Sequence, residues 1–323
     1  MNSIGERVLI TGGAGFVGAC AVRELVRRGH AVSVLLRDPD KAWRLTDVLD
    51  ACRVHEGDLR DRSAVRSCLH AARPDVVLHL ATYGAYEQQA DADAILDTNI
   101  FGTQHLLAAA AEAKTSLFVQ TGSSSEYGFK SQTMHESDRL EPNSVYAVAK
   151  AAQTHLGQLH SRRGAMPVVS LRLFSVFGPL EEPTRLIPSL LRNARAQAPL
   201  HLAAPETARD FVFIDDVLDA LLDFAKLRDA GGEVINIGSG RETKLREVVA
   251  EVQRLFPGRS EVRWGAFPAR HWDTAHWSGD VSKAQRLLGW TPRHTLAQGL
   301  AKMAEWMRIT GDDHGSSVLR TAG

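Results

Sequence analysis

Cysteine is scarce in this chain of 323 residues: Cys20, Cys52 and Cys68 are the only three, an odd number without a CxxC or a Cys/His ligand spacing. That scarcity argues against structural disulfides and against a zinc or other metal site, and it fits a reducing compartment. Long hydrophobic runs are also missing. None approaches the roughly 18 apolar residues of a membrane span, and the N-terminus enters a strand pattern without a signal-peptide layout. The expected location is the cytoplasm, with no membrane partner. Neither sign of charge is in excess, 38 basic side chains standing against 38 acidic ones. Such a balance gives no electrostatic footprint for nucleic acid, so an anionic ligand must be held by local groups. What is present is an ordinary globular composition, 44% hydrophobic and 24% charged, in a chain long enough for about two domains and a sizeable core.

Arg7-Val8-Leu9-Ile10 is a short apolar run that stops at Thr11-Gly12-Gly13, as a buried parallel strand does. From Phe16 to Arg28 apolar residues recur at helical spacing, closed by Arg27, Arg28 and Gly29. Ala31–Leu36 is a second buried run. The alternation continues through Arg53-Val54, the helical stretch Ser63–Ala71, Asp75–Leu80, the helix Ile95–Ala113, Ser116–Gln120, a long helix from Tyr146 to His160, and Val168–Leu173. Strands alternating with helices imply an α/β protein with a doubly wound parallel sheet, because parallel strands need crossovers that cover both faces. Beyond Gly178-Pro179 the regularity weakens and prolines punctuate the chain. Residues 1–178 are therefore expected to form one domain and 179–310 a smaller, interleaved substrate domain. Asp210–Ile214 and Val234–Ile237 read as strands, so that 209–240 returns to the first domain. Residues 311–323 read as a flexible tail. Trp264, Trp272, Trp277 and Trp290 read mostly as core of the smaller domain, with Trp272 or Trp277 as a candidate for stacking on a nucleobase.

Gly12, Gly15 and Gly18 form a G-x-x-G-x-x-G series between the first strand and first helix. Glycines there permit a tight turn and close approach to a pyrophosphate, which sits on the free N–H groups and positive dipole of the helix. Eighteen residues past Gly18 an NAD-binding chain would carry an acidic residue for the ribose hydroxyls; this one has Leu36, then Arg37. A guanidinium grips a 2′-phosphate that a carboxylate would repel, so NADP(H) is favoured over NAD(H). The competing reading makes Arg37 a solvated loop charge and lets Asp38 serve the ribose. Asp58, in Gly57-Asp58-Leu59, would meet the adenine edge or cap a helix.

Tyr146 and Lys150 lie four apart on a helix and share one face, where an ammonium would lower the tyrosine pKa towards that of a general acid or base. Upstream, Gly122-Ser123-Ser124-Ser125-Glu126-Tyr127-Gly128 falls at a strand end, the edge where ligands collect. A serine there could polarise the oxygen whose proton Tyr146 handles, or the turn could simply cap a helix.

With these motifs in hand, the chain resembles the extended short-chain dehydrogenase/reductase family, a Rossmann-type fold, and in particular its sugar-nucleotide epimerases, dehydratases and reductases. The resemblance rests on Thr11–Gly18, Gly57-Asp58-Leu59, His79-Leu80-Ala81, Asn99-Ile100-Phe101-Gly102-Thr103, Tyr146–Lys150, Arg209–Val217, Asn236–Gly240 and Leu288-Gly289-Trp290. It implies a cofactor lined by Gly12, Gly15, Phe16, Val17, Gly18, Arg37, Asp58, Leu59, Leu80, Ala81 and Asn99. It further implies Tyr146 as acid/base and Lys150 as its activator and nicotinamide-ribose ligand. The catalytic serine is Ser123 by the usual spacing, or Ser124 if one residue is deleted before Tyr127. The choice matters because dehydratases place an acid just after this Ser/Thr, to remove a proton beside the ketone. Without the deletion Ser124 and Ser125 stand there; with it, Glu126 does.

The family's asparagine near the substrate phosphates is Ser175 here. Arg209 and Arg270 remain as diphosphate ligands by resemblance, and Tyr83 and Tyr86 would line the sugar pocket or merely pack. The leading expectation is NADPH-dependent reduction of a 4-keto nucleoside-diphosphate sugar, followed by 4-epimerisation and then 4,6-dehydration. A homodimer through Ile95–Ala113 and Val148–His160 is implied as well. A non-catalytic sensor would be expected to have lost Tyr146 or Lys150.

Overall fold

The computed structural model describes residues 5–164, 166–258, 260–266 and 276–310. Its short apolar runs become strands and its 3.6-periodic stretches become helices. Along the first half these are β1 (Arg7–Thr11), α1 (Phe16–Arg27), β2 (Ala31–Leu36), β3 (Arg53–Glu56), α2 (Arg62–Ala72), β4 (Val76–His79), α3 (Ala92–Leu96), α4 (Gly102–Glu112) and β5 (Leu117–Ser123). There follow α5 (Val145–Arg162), β6 (Val168–Leu173), β7 (Ser175–Phe177), α6 (Leu186–Arg195), β8 (Leu200–His201), β9 (Ala208–Arg209), β10 (Phe211–Phe213), α7 (Ile214–Leu221) and α8 (Phe224–Asp229). The described chain closes with β11 (Val234–Ile237), β12 (Thr243–Lys244), α9 (Leu245–Leu255), β13 (Val262–Arg263), α10 (Ser282–Leu288) and α11 (Leu296–Thr310).

Seven strands pair in parallel in the order β11-β6-β5-β4-β1-β2-β3. The order reverses between β1 and β4, the switch point where a doubly wound sheet leaves a crevice at its carboxyl edge. Pleating sends alternate residues to opposite faces. Val8 and Ile10 of β1 accordingly join the core that includes Ala19, Val22 and Leu25 of α1, while Leu9 joins that of α2 and α4. Both faces are dry, which is why these strands read as unbroken apolar runs.

Three expectations change. The segment Asp210–Ile214 contributes no strand to the main sheet: β10 pairs with β7 in a separate two-stranded sheet, because Asp210 is drawn into a polar knot with Ser239, Gly240 and Gly279. The helix Ile95–Ala113 is broken at Asp97–Phe101 by a π turn. Thr103 Oγ1 donates to the Asn99 carbonyl across that turn, and the Asn99 side chain is occupied by the loop after β4. Of the tryptophans, Trp290 is core, its indole donating to Asp216 O, but Trp264 is exposed. Trp272 and the tail 311–323 lie outside the described residues. Among the described residues no helix is long and apolar enough to cross a membrane.

Candidate active site

The glycine turn sits at the switch point. Gly12 adopts φ +75°, and a Cβ there would lie 2.4 Å from Ala81 N, so the turn at β1 packs directly on the backbone of Leu80 and Ala81 just past β4. A Cβ on Gly18 would lie 2.1 Å from Gly12 O, which is what lets α1 start hard against the turn. Gly15 precedes α1 and supplies no side-chain cap. The leading N–H groups of Phe16, Val17 and Gly18 are thus available to an anion, with the helix dipole behind them. The cradle fits a pyrophosphate.

Around the β2 and β3 edge the charges sort themselves. Leu36 is buried and Arg37 exposed at the end of β2, and Arg37 acts electrostatically on both Asp58 and Lys41. Asp38 is paired with Lys41 at 2.7 Å rather than turned to a ribose. Asp58 accepts from the Arg60 backbone N–H at 2.9 Å and from the Arg60 guanidinium, which holds its carboxyl below the usual range. It is not a helix cap; Asp61 takes that part for α2, accepting from Ser63 N and Ala64 N. Leu59 and Leu80 are buried against the cleft floor.

His79 is fully buried between two threonines, with Thr11 Oγ1 2.7 Å from Nδ1 and Thr103 Oγ1 2.8 Å from Nε2. Thr103 already donates to Asn99 O. Nε2 must therefore carry the hydrogen and Nδ1 must accept from Thr11. Burial and then the Lys150 charge push the imidazole pKa down to about 3, so the ring is neutral. Asn99, also buried, accepts from Thr82 Oγ1 and Tyr83 N and donates to Tyr83 O, pinning the loop after β4. Tyr86 on the same loop lies under the Arg185 guanidinium at 5.6 Å.

Ser123 ends β5 and caps the short turn Ser124–Tyr127, its Oγ accepting from Ser125 N at 3.1 Å. Glu126 Oε1 returns the bond by accepting from Ser123 N at 2.7 Å, a capping box. The other oxygen, Oε2, accepts from Thr154 Oγ1 at 3.0 Å and from Arg172 Nε at 2.9 Å. Arg172 in turn covers the buried Tyr127 ring, whose hydroxyl donates to Asn236. Glu126 has no exposed surface. The expectation that a shifted register could make it a base or a substrate ligand is thereby corrected: its carboxylate is committed to a buried ion pair beneath the turn.

Tyr146, at the start of α5, is hydrogen-bonded by the side chains of Ser123 and Thr82. Of the two serines left open by the sequence, Ser123 therefore meets the tyrosine, and Ser124 Oγ instead accepts from the indole of Trp277 at 3.1 Å. Lys150 is buried one turn on, donating to Thr121 O and Gln153 Oε1 at 2.6 Å each. Burial lowers its pKa to about 8. The expected lowering of the Tyr146 pKa does not appear: burial raises it, outweighing the hydrogen bonds from Ser123 and Thr82 that act the other way. The phenol is thus held in its proton-carrying form.

Ser175 opens β7, with its N–H bonded to Asp210 O. Arg209 lies over the ring of Trp277 at 5.1 Å, so that tryptophan faces a cation and the Ser124–Tyr127 turn. Arg270 lies outside the described residues. Three contributors escaped the sequence reading. Thr82 reaches Tyr146 from the loop after β4. Arg185 acts electrostatically on both Tyr86 and Tyr146. Arg44, buried and stacked on Trp43, binds Leu180 O at 2.8 Å and Glu182 at 2.9 Å and reaches towards Ala14 O at 3.4 Å, tying the glycine turn to the segment after β7. No motif marks these residues; Arg44 and Glu182 stand 138 apart in the chain.

A glycine turn at the switch point, with serine, tyrosine and lysine on the adjoining strand end and helix, marks the class of dinucleotide-dependent α/β enzymes. Comparison with known proteins narrows the class. The profile of the NAD dependent epimerase/dehydratase family matches residues 8–238, and the chain belongs to that family. A dTDP-glucose 4,6-dehydratase of Xanthomonas campestris pv. campestris is 30% identical, over 92% of each chain. Among solved structures, MoeE5 in complex with UDP-glucose and NAD is 34% identical with a TM-score of 0.83, covering 94% of this chain and 99% of that one. The UDP-glucose 4-epimerase of Thermotoga maritima, bound to UDP-glucose, is 25% identical with a TM-score of 0.85 over the same shares. The protein is therefore an enzyme of the extended short-chain dehydrogenase/reductase group.

Proposed function

We propose that the enzyme interconverts the C4 epimers of a nucleoside-diphosphate sugar by reversible oxidation at C4. One observation carries this reading: the two places after Ser123 hold Ser124 and Ser125, and the carboxylate that follows them, Glu126, is locked to Arg172. Elimination of water needs an acid and a base beside the ketone, and these serines supply neither. Hydride exchange at a single carbon needs only the groups that remain. The named relatives include a dehydratase and an epimerase, and the absence of a carboxylate just after Ser123 favours the second.

The glycine turn, Arg37, Asp58 and Lys150 would hold the dinucleotide, which when bound supplies reversible hydride exchange with a sugar carbon. Tyr146 Oη holds or returns the proton of the C4 oxygen. Ser123 fixes that oxygen by hydrogen bond, and Lys150 fixes the tyrosine side of the site while offering its remaining N–H to a ribose hydroxyl. Arg209, with Arg270, would grip the diphosphate. Tyr83 and Tyr86 would line the sugar pocket.

A second reading, NADPH-dependent reduction of a 4-keto sugar nucleotide, is favoured by Arg37, since a 2′-phosphate marks a cofactor drawn from the reducing pool. The two are separated by following UDP- and dTDP-sugars by NMR without added reductant and, in a second arm, their 4-keto derivatives with stoichiometric NADPH. Epimer formation at substoichiometric free cofactor supports the first. Consumption of NADPH, one per 4-keto sugar, with no epimerisation, replaces it with the second.

We also propose that the chain forms a homodimer. Phe101, Val145, Val148 and Leu159 expose 57, 42, 45 and 38% of their surface around α5 and the π turn, an apolar set that a second copy would cover.

A further inference from the structure

Between the glycine turn and the segment that follows β7 stands Arg44, 7% exposed and laid on the Trp43 ring at 4.2 Å. Its planar fork reaches three groups: Nη1 donates to Ala14 O at 3.4 Å, Nε to Leu180 O at 2.8 Å and Nη2 to Glu182 Oε2 at 2.9 Å. Leu180 has φ +70°, a left-handed backbone that strains a residue with a Cβ. Such a residue keeps that shape only while its surroundings over-determine it. Here they are the buried Leu180 side chain, the Arg44 bond to its carbonyl and, one residue back, Cys20 Sγ on Pro179 O at 3.6 Å. From this clamped turn the connections run on to the site. The Arg185 N–H donates to Glu182 O at 2.9 Å, and the Arg185 guanidinium lies 5.6 Å from the Tyr86 ring and acts electrostatically on Tyr146. An unbroken set of contacts thus joins the pyrophosphate cradle to the side of the pocket proposed for the sugar.

We propose that Arg44 is a positioning residue that couples the two ligands: a dinucleotide seated on the glycine turn fixes Ala14, the fork carries that constraint to the Leu180 turn, and Arg185 is thereby held at the sugar pocket. The proposal rests on the nucleotide-sugar reading above. Rigidity is the reason an arginine serves here, since fixing one arm of a planar guanidinium fixes the direction of the other two. Leu180 supplies the second state: with its carbonyl released, the turn relaxes to negative φ, and the tie from Glu182 to Arg185 moves with it. A first ligand that holds the clamped state leaves less ordering for the second to do. The coupling must be reciprocal, each ligand tightening the other by the same factor.

The test measures that factor in the full chain with a pair of ligands that cannot react, the reduced cofactor and UDP-glucose, or dTDP-glucose if only that base binds. The cofactor is titrated by fluorescence with and without saturating sugar nucleotide, and the sugar nucleotide by calorimetry with and without saturating cofactor. In the wild type both ratios of Kd are expected at about tenfold. Arg44→Met keeps an apolar stem over Trp43 and removes the fork. Both ratios should then fall to about twofold or less, while each ligand alone binds within about threefold of wild type. Should Arg44→Met fail to fold, Glu182→Ala, which cuts one arm at a partly exposed group, decides the matter, and its ratios should drop to about threefold. Ratios unchanged in the variants, as direct contact between the two ligands would leave them, overturn the proposal. So do losses for each ligand alone with the ratios intact, or no coupling in the wild type. If no nucleotide sugar binds, the nucleotide-sugar reading falls, and this proposal with it.

Discussion

At Tyr146 the decisive quantity is a proton. The phenol is kept protonated by burial while Ser123 and Thr82 hold it in place. Tyr146→Phe removes the group without altering the packing, and kcat is expected to fall by about 10²–10⁴-fold with sugar-nucleotide affinity retained. Calorimetry beside steady-state rates checks both halves. Glu126 shows the opposite use of an ionisable group. Glu126→Ala strands Arg172, 3% exposed, without its counter-charge, at a cost of about 3–5 kcal/mol seen as a lower Tm. Conservative repair by Gln should recover part of that stability. A direct catalytic role would instead remove turnover while leaving Tm alone. The Ser-Tyr-Lys group was legible because its members lie on a strand end and one helical face. The commitment of Glu126 was not, because Arg172 reaches it from a neighbouring strand.

Elements carry the cofactor. β1, its glycine turn and α1 could be read directly, since φ and close approach leave few residues other than glycine acceptable at Gly12 and Gly18. The end of β2 carries the choice of dinucleotide. If Arg37 grips a 2′-phosphate, Arg37→Asp should invert the NADP/NAD preference, with NADP affinity falling about 10–100-fold, the worth of one charge-assisted bond. Fluorescence titration of both reduced cofactors measures it. If the wild type instead prefers NAD and Arg37→Asp leaves that preference unchanged, Arg37 returns to the solvated surface. The π turn at Asp97–Phe101 was invisible in the apolar periodicity. Its cause is local competition by the side chains of Asn99 and Thr103, which follow contacts made outside the helix.

For the whole molecule, two outcomes are expected. Phe101→Glu combined with Val148→Glu should convert the proposed dimer to a monomer in light scattering, because charges cannot be buried unpaired at such a face. Stability should also fall on acidification. His79 is neutral in the fold, with a pKa near 3, but titrates at 6.5 once unfolded, so the unfolded state binds the extra proton. The stability this histidine lends is full above about 6.5 and is lost as the pH falls towards 3. Denaturant titrations of the wild type and His79→Gln across that window should show a shallower slope for the variant.

By itself the sequence determined the alternation of buried strands and amphipathic helices, the glycine turn and the Tyr146/Lys150 spacing, because each is a local pattern with its own period. Only the tertiary structure decided which serine meets Tyr146, that Glu126 is spent on Arg172, and that Trp277 stands against Ser124. These are matters of distance between segments far apart in the chain. Hydrogen bonds and ion pairs are made through space, and nothing local in the sequence records which groups will meet.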